Sequence, residues 1–336
     1  MDVRGTNRAL VIGAQGVLGA FTVRALEAAG WVVRSGARRP ETGQIEIDLG
    51  RADSIAVAMD EHELVVNTVP HPDLLAERYV LEHGGVLINV SDLPAAAARA
   101  LRAVSGGARG TVVMSAGLAP GVTTIVAADL LSRHPTASEL ELVFTLSLAA
   151  HRGPASAEFI YRGLTVVSRH RTAVVRLPRP FGLRRCLGFG ESDAGWLGGI
   201  AEGRVVRQYV CIAEPATHER LLELNSAGAM TDLPSSTIEL RKQRADRTGD
   251  DEPVAHWIAA IHAGRRLDAR TVECMGGSRS AARSTVVFAD ALRAEPPPPG
   301  CFGPEEIWTL NDLNTKLRAV GIAVVSHQPI AGPVAR

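Results

Sequence analysis

Lysine is almost absent from this chain: Lys242 and Lys316 are the only two among 336 residues, so arginine carries nearly all the positive charge. A mechanism that needs a lysine base therefore has almost no candidates. An excess of either charge is lacking too. The formal net charge is zero, so no global field recruits nucleic acid or an anionic membrane. The four cysteines, Cys186, Cys211, Cys274 and Cys301, are scattered, with no C-x-x-C pair and no His/Cys cluster at metal-ligand spacing. They read as reduced thiols, and no metal is expected. No window approaches the roughly 20 apolar residues that span a bilayer. The opening MDVRGTNR runs straight into a strand, without the apolar core or cleavage site of a signal peptide. These absences predict a soluble, cytoplasmic protein that partners neither nucleic acid nor membrane. No internal repeat of solenoid type is present.

A chain of this length suits two domains at roughly 100–200 residues each. From RALVIGA to GTVVMSAG, short apolar runs alternate with helical segments, several closed by glycine. That alternation predicts βαβ units and a parallel sheet covered on both sides. Beyond about residue 138 the grammar changes. LELVFTLSLAA reads as an isolated strand, and TAVVRLP, RVVRQYVCIAE and TIELRK as further strands. ASAEFIYRGLTVVS, ATHERLLELNSAG and VAHWIAAIHAG read as helices. LDARTVECMGG and RSTVVFAD read as two strands around a Gly-Ser turn. The expected fold class is α/β: a Rossmann, doubly wound parallel sheet over residues 1–135, and a second α+β domain with a mixed or antiparallel sheet over 136–302. AEPPPPG marks a stiff connector, and the closing segment 303–336, a Pro-Glu helix and a short strand, is expected to pack back on the first domain.

The stretch ALVIGAQGVLGA carries Gly13, Gly16 and Gly19 in the pattern G-x-x-G-x-x-G, between the first strand and the first helix. Gly13 permits the tight turn, Gly16 lets backbone approach a pyrophosphate, and Gly19 lets the helix pack closely on the strand. The helix N-terminus adds free N–H groups and a partial positive charge for the phosphates. Gln15, Val17 and Leu18 lie between the glycines and join the expected cofactor contacts. The alternative is a cofactor-free packing turn. The second strand ends RSGARRP, where an NAD site would place an acid to hold the ribose 2′-hydroxyl. Ser35, Arg38 and Arg39 stand there instead and suit a 2′-phosphate, which arginine grips with a bidentate fork. NADP(H) is therefore the expected cofactor, unless the arginines are merely a solvated pair. Asp48 is a candidate contact for the adenine ring.

Ligands of open α/β sheets lie across the carboxyl ends of the strands, which here are Thr68 to His71, Ser91 with Asp92, and Ser115 to Gly121. His71 is either an acid/base group or a helix-start residue, and Asp92 either faces the ligand or caps the following helix. Gly117, Pro120 and Gly121 form a G-x-x-P-G turn suited to a flat ring. The glycine triplet, the VVN-x-x-P strand and the G-L-x-P-G turn before A-x-x-LL together resemble the saccharopine dehydrogenase-like reductases. The resemblance covers the first ~130 residues and, more loosely, the closing FGPEEIW…LRAVGIAV. It implies a Rossmann domain and an α+β domain that carries the substrate pocket and usually the dimer contact. It also implies hydride transfer between NAD(P)H and a C–N or related carbon, often an imine made from an amino acid. By the same resemblance Val69 and Pro70 would pass beside the nicotinamide ribose, and Gly117 to Gly121 would line the nicotinamide. The chain departs from the family at Val90-Ser91-Asp92, where members often carry Thr/Ser-x-Tyr, so the resemblance leaves the substrate contact there, and the amino-acid substrate, open.

Reducing an iminium needs little acid catalysis, because its nitrogen already carries the charge that hydride neutralises. A carbonyl needs a proton donor for the developing alkoxide. Short-chain reductases use Tyr-x-x-x-Lys, but Tyr79, Tyr161 and Tyr209 are followed four residues on by His83, Thr165 and Ala213. The remaining catalytic candidates are His71, His151 and Tyr161, with Arg162 beside them. Gly153-Pro154, flanked by His151 and Arg152, is either an anion site or a capped surface helix. His256 and His262 are expected on one helix, off-register for metal binding, and Glu305 and Glu306 in the first turn of the last helix. The expected activity is an NADP(H)-dependent reduction of a small-molecule C=N, C=O or C=C group by a homodimer. A catalytically silent NADP-binding redox sensor and an ordinary carbonyl reductase are the alternatives.

Overall fold

The computed structural model describes residues 7–59, 62–91, 95–148, 154–165, 171–190, 200–201, 203–230 and 251–327. The apolar run RALVI forms β1 (Arg8–Ile12). In α1 (Val17–Ala28), Gly19, Thr22 and Leu26 are buried, at the three-and-four spacing of a helix laid on a sheet. Phe21 and Ala25 are half-buried; the Phe21 ring takes the guanidinium of Arg24 at 4.7 Å from its centroid. Gly30, at φ +85°, ends the helix and lets the Trp31 N–H bond back to Leu26. The chain continues through β2 (Val32–Ala37), β3 (Ile45–Glu46), α2 (Ala52–Met59), β4 (Leu64–Asn67), α3 (Leu75–His83), β5 (Val86–Asn89), α4 (Ala95–Ala103) and β6 (Thr111–Val113).

It then builds a second unit from α5 (Val122–Arg133), β7 (Glu139–Leu146), α6 (Pro154–Thr165), β8 (Thr172–Arg176), β9 (Leu183–Gly188), β10 (Val205–Ile212), α7 (Pro215–Ser226), β11 (Pro253–His262) and β12 (Arg265–Met275). α8 (Gly277–Ala294), β13 (Gly300–Phe302) and α9 (Pro304–Ile307) follow, and α10 (Leu310–Ala319) and β14 (Ala323–His327) close the described chain. The two compact units are 1–122 with 278–308, and 123–277 with 309–336.

In the first unit the strands run in the order β3-β2-β1-β4-β5-β6-β13, all parallel. The direction of travel reverses at β1, so the switch point lies between β1 and β4, where such sheets hold their ligands. One core joins Leu10 and Ile12 to Val65, Leu87 and Val112, with Ile55, Leu74, Val80 and Leu101 from the helices. Each such side chain contributes about 1.5–3 kcal/mol by leaving water. α8 is fixed by the Trp31 indole donating to Asp290 at 3.1 Å and by Phe288 stacked on Trp308 at 5.2 Å.

The second sheet runs β14-β12-β11-β7-β10-β9-β8 and is antiparallel except where β7 lies parallel to β10. One face is filled by Val143, Tyr209, Trp257, Ala259 and Ala269. Arg270 and Asp129 form a buried ion pair at 2.6 Å between β12 and α5. All four cysteines are free and buried. Among the described residues no helix is long and apolar enough to cross a membrane, and no metal-binding group of His, Cys, Asp and Glu is present.

Several segments differ from expectation. VAHWIAAIHAG is a strand, β11, with eight consecutive buried residues. A strand covered on both faces loses its alternation and reads like a buried helix. RSTVVFAD is helical, inside the 18 residues of α8. LELVFTLSLAA is not isolated, since β7 has partners on both sides. The segment 303–336 divides: α9 stays with the first unit, whereas β14 hydrogen-bonds to β12 in the second. TIELRK lies outside the described residues.

His256 therefore lies on a central strand, 5% exposed, with Nδ1 unpartnered and its ring edge-on to Phe144. Burial alone holds its pKa down to about 4 from an ordinary 6.5. The unfolded chain takes up this proton at the ordinary pKa and the folded chain does not. Stability is thus full above pH 6.5 and falls progressively as pH drops toward about 4, by about 3 kcal/mol. His218 acts in the same direction: it is buried and neutral, accepting the Ile212 N–H at Nδ1 and pairing Nε2 with the Arg185 carbonyl. His256→Leu is expected to flatten the acid limb of a denaturant-stability profile, which an unchanged limb would contradict.

Candidate functional site

The turn after β1 is built from backbone. Gly13 adopts φ +83° and donates to the Gly36 carbonyl at 3.0 Å, and Gly16 donates back to Gly13 at 2.9 Å. A Cβ on Gly13 would stand 2.4 Å from Val69 Cγ2 and 2.6 Å from Thr68 Oγ1. A Cβ on Gly19 would stand 2.1 Å from the Gly13 carbonyl oxygen. Gly16 is the N-cap of α1 and supplies no side-chain acceptor to the first-turn N–H groups of Val17, Leu18 and Gly19. This cradle of bare backbone under a positive helix end fits a dinucleotide pyrophosphate.

Arg38 and Arg39 follow the end of β2 and are exposed. Ser35 lies further back inside β2, paired in register with Val11. Gln15 is exposed, and its amide is engaged by the loop after β2. Its Nε2 donates to the Arg39 carbonyl and to Gln44 Oε1, both at 2.9 Å, and Gln44 Oε1 also accepts the Glu41 N–H at 3.0 Å. The glycine turn thereby holds the arginine loop in place. Gln44 is a residue that the sequence reading missed.

On the far side of β1, Thr68 Oγ1 donates to the Ile12 carbonyl at 2.7 Å, and Thr68 and Val69 lie against Gly13, with Pro70 next along the chain. The turn at Gly117 is equally tight. Gly117 donates to the Pro120 carbonyl at 3.0 Å, and a Cβ on Gly121, at φ +127°, would stand 2.0 Å from the Gly117 oxygen. Ala116 N–H binds the Asn89 carbonyl at 2.9 Å, which ties this turn to the end of β5. Ser115, just before it, takes φ 55°, an uncommon conformation for a side-chain-bearing residue.

The other candidates are placed as follows. His71 Nδ1 accepts the Asp73 N–H at 3.4 Å, while its Nε2 stands 3.9 Å from where a Cβ on Gly50 would lie. Asp48 Oδ1 accepts the Gly50 N–H at 3.0 Å, and the Asp48 N–H donates to Ser54. His71 Nε2 and Asp48 Oδ1 thus both lie beside Gly50, in the loop after β3. Tyr161 is half-buried on α6 in the second unit. His151, Arg152, Gly153 and Asp92 lie outside the described residues. Glu306, expected as a helix-start charge, grips Arg102 with two bonds of 3.0 and 2.6 Å and also caps Gly303.

The sequence reading also missed a buried polar group at the carboxyl edge, formed by Asn67, Glu77, Asn89 and Ser91. Its signal was present: LVVN and VLIN, two neighbouring strands, both end in asparagine.

No family model and no curated protein sequence matches the chain. Among solved structures, the chain is similar to apo histidine-tagged saccharopine dehydrogenase (L-Glu forming) from Saccharomyces cerevisiae. The TM-score is 0.59 at 11% identity, over 96% of this chain and 100% of that one. The fold is that of saccharopine dehydrogenase. At this identity the likeness speaks for the fold alone. Two further similar structures reach only TM-scores of 0.41 and 0.42. They are the WlbA dehydrogenase from Thermus thermophilus, in complex with NAD and alpha-ketoglutarate (13% identity, 96% and 97% covered), and an oxidoreductase from Sinorhizobium meliloti (11%, 93% and 94%). The saccharopine dehydrogenase-like architecture expected from the glycine triplet and the G-L-x-P-G turn is thus present in three dimensions.

Proposed function

We propose that the protein is an NADP(H)-dependent oxidoreductase that reduces a small-molecule C=N bond. The observation that carries this reading is the glycine turn itself: Gly13 and Gly19 have no room for a Cβ, and Gly16, the N-cap of α1, leaves the first-turn N–H groups without a side-chain acceptor. Bound there, the dinucleotide supplies a hydride. The first turn of α1 would hold its pyrophosphate, Arg38 and Arg39 its 2′-phosphate, and Val69, Pro70 and the Gly117–Gly121 turn its nicotinamide half. Gln15 keeps the arginine loop at a fixed distance from the phosphate turn.

The choice of C=N follows from charge. An iminium is neutralised by hydride, so the chain has only to orient it and exclude water. A carbonyl substrate would need a proton donor, and the roles proposed for His71, Tyr161 and His151 belong to that case. The test is NADPH oxidation, followed by absorbance, on a panel of imines formed from amines with aldehydes and with keto acids, beside the matching ketones. Turnover of imines over ketones is expected. Tight NADPH binding without turnover of any compound would instead favour a redox sensor.

A further inference from the structure

β4 and β5 are neighbours in parallel register, and Asn67 at the end of one lies beside Asn89 at the end of the other. Both are essentially buried. Each uses its carboxamide in two directions. Asn67 Oδ1 accepts the Val69 N–H at 3.0 Å, and Asn89 Oδ1 accepts the Ser91 N–H at 2.8 Å and the Ser91 hydroxyl at 2.7 Å. The two amide nitrogens turn the other way and donate to one oxygen, Oε1 of Glu77, at 2.8 and 2.6 Å.

Glu77 is in the first turn of α3 and is 1% exposed. Its neighbours Ala76, Val80 and Leu81 belong to the apolar core. Stability alone would favour an apolar side chain at such a position, because a buried charge is costly. The carboxylate does what an apolar group cannot. An asparagine amide can flip end over end, and only its partners decide which end faces which way. A carboxylate oxygen only accepts, so both NH2 groups must face Glu77 and both oxygens must face the N–H groups just beyond the strands. One side chain therefore fixes the first residues of two loops at the carboxyl edge. Val69, in the first of these loops, is the side chain against which Gly13 is packed.

We propose that Glu77 is a positioning residue: through Asn67 and Asn89 it holds the residues that leave β4 and β5, Thr68 to Val69 and Val90 to Ser91, in the shape that receives the nicotinamide half of the cofactor. The ligand in this statement rests on the NADP(H) reading above; the clamp itself does not.

The experiment compares wild type, Glu77→Gln and Glu77→Leu by residue-resolved amide hydrogen exchange and by NADPH fluorescence titration. In Glu77→Leu the Val69 and Ser91 amides are expected to lose protection while Val66 and Ile88, inside the strands, keep theirs. NADPH affinity is expected to fall about tenfold, the loss of one charge-assisted hydrogen bond or its equivalent. Glu77→Gln keeps an acceptor oxygen and is expected to restore both readouts to near wild type. Unchanged protection at Val69 and Ser91 in Glu77→Leu would overturn the clamp. Should Glu77→Leu fail to fold, Asn67→Ala and Asn89→Ala take its place. Each is expected to expose only its own loop, and loss spread evenly over β4 and β5 would overturn the proposal. Failure of wild type to bind NADPH, with the exchange pattern as expected, would support the clamp and refute the cofactor reading. Normal NADPH affinity in Glu77→Leu, despite exposed loops, would refute the clamp's role in binding.

Discussion

Replacing Arg38 and Arg39 together with alanine is expected to weaken NADPH binding about 100-fold while NADH affinity stays within about threefold of wild type. Both guanidiniums follow directly on β2, the strand after the glycine turn. Hydrogen bonds to a charged group contribute about 1.5–3 kcal/mol each, and a 2′-phosphate can accept from both arginines. NADH lacks that phosphate and has nothing to lose. Because both side chains are exposed, fold stability is expected to change by less than about 0.5 kcal/mol. Parallel titrations with the two cofactors check this. An equal loss for both would mean that the arginines act on the pyrophosphate or on the loop, and NADP preference would have to come from elsewhere.

Gly19→Ala carries the second large effect. Its new Cβ would lie 2.1 Å from the Gly13 oxygen and 2.9 Å from Ala14 Cα. Both are backbone atoms, so no side chain can rotate away. Either α1 lifts from β1 or the turn opens, at a cost of about 1–3 kcal/mol or more. Each movement spoils the alignment of first-turn N–H groups, and NADPH binding is expected to fall below detection. Gly16→Ala is the contrasting control. Its Cβ would meet only the Gly13 oxygen, at 3.2 Å, so the fold is expected to survive while the methyl group stands where a phosphate approaches. A thermal melt beside a cofactor titration separates the two cases. A Gly19→Ala protein that melted and bound like wild type would refute the close packing described for this turn.

The first unit was legible because its signals are local. A glycine triplet between an apolar strand and a helix marks the first βα turn, and glycine closed several of the helices that follow. The second unit was less so. β11 is central and buried on both faces, so PVAHWIAAIH shows no period of two, and its length favoured a helix. In α8 the run Ser284-Thr285-Val286-Val287-Phe288 has strand propensity, yet it lies in a helix whose residues Ser284 to Ala289 are all buried. Packing overrode propensity there. Glu77 was hidden for a different reason. A glutamate in AERYVLEH reads as a solvated helix charge, and only the register of β4 with β5 brings two asparagines to it. His71 stood open between an acid/base group and a helix-start residue, and its Nδ1 accepts the N–H of Asp73 in its own turn, a local bond that leaves both readings standing.

The cofactor site itself is tested most directly by titrating the intact chain with NADPH and following the fluorescence of the reduced nicotinamide. Saturable binding is expected, tighter than for NADH, displaced by NADP+ and abolished in Gly19→Ala. A folded wild-type protein that shows no saturable change with either cofactor would contradict it.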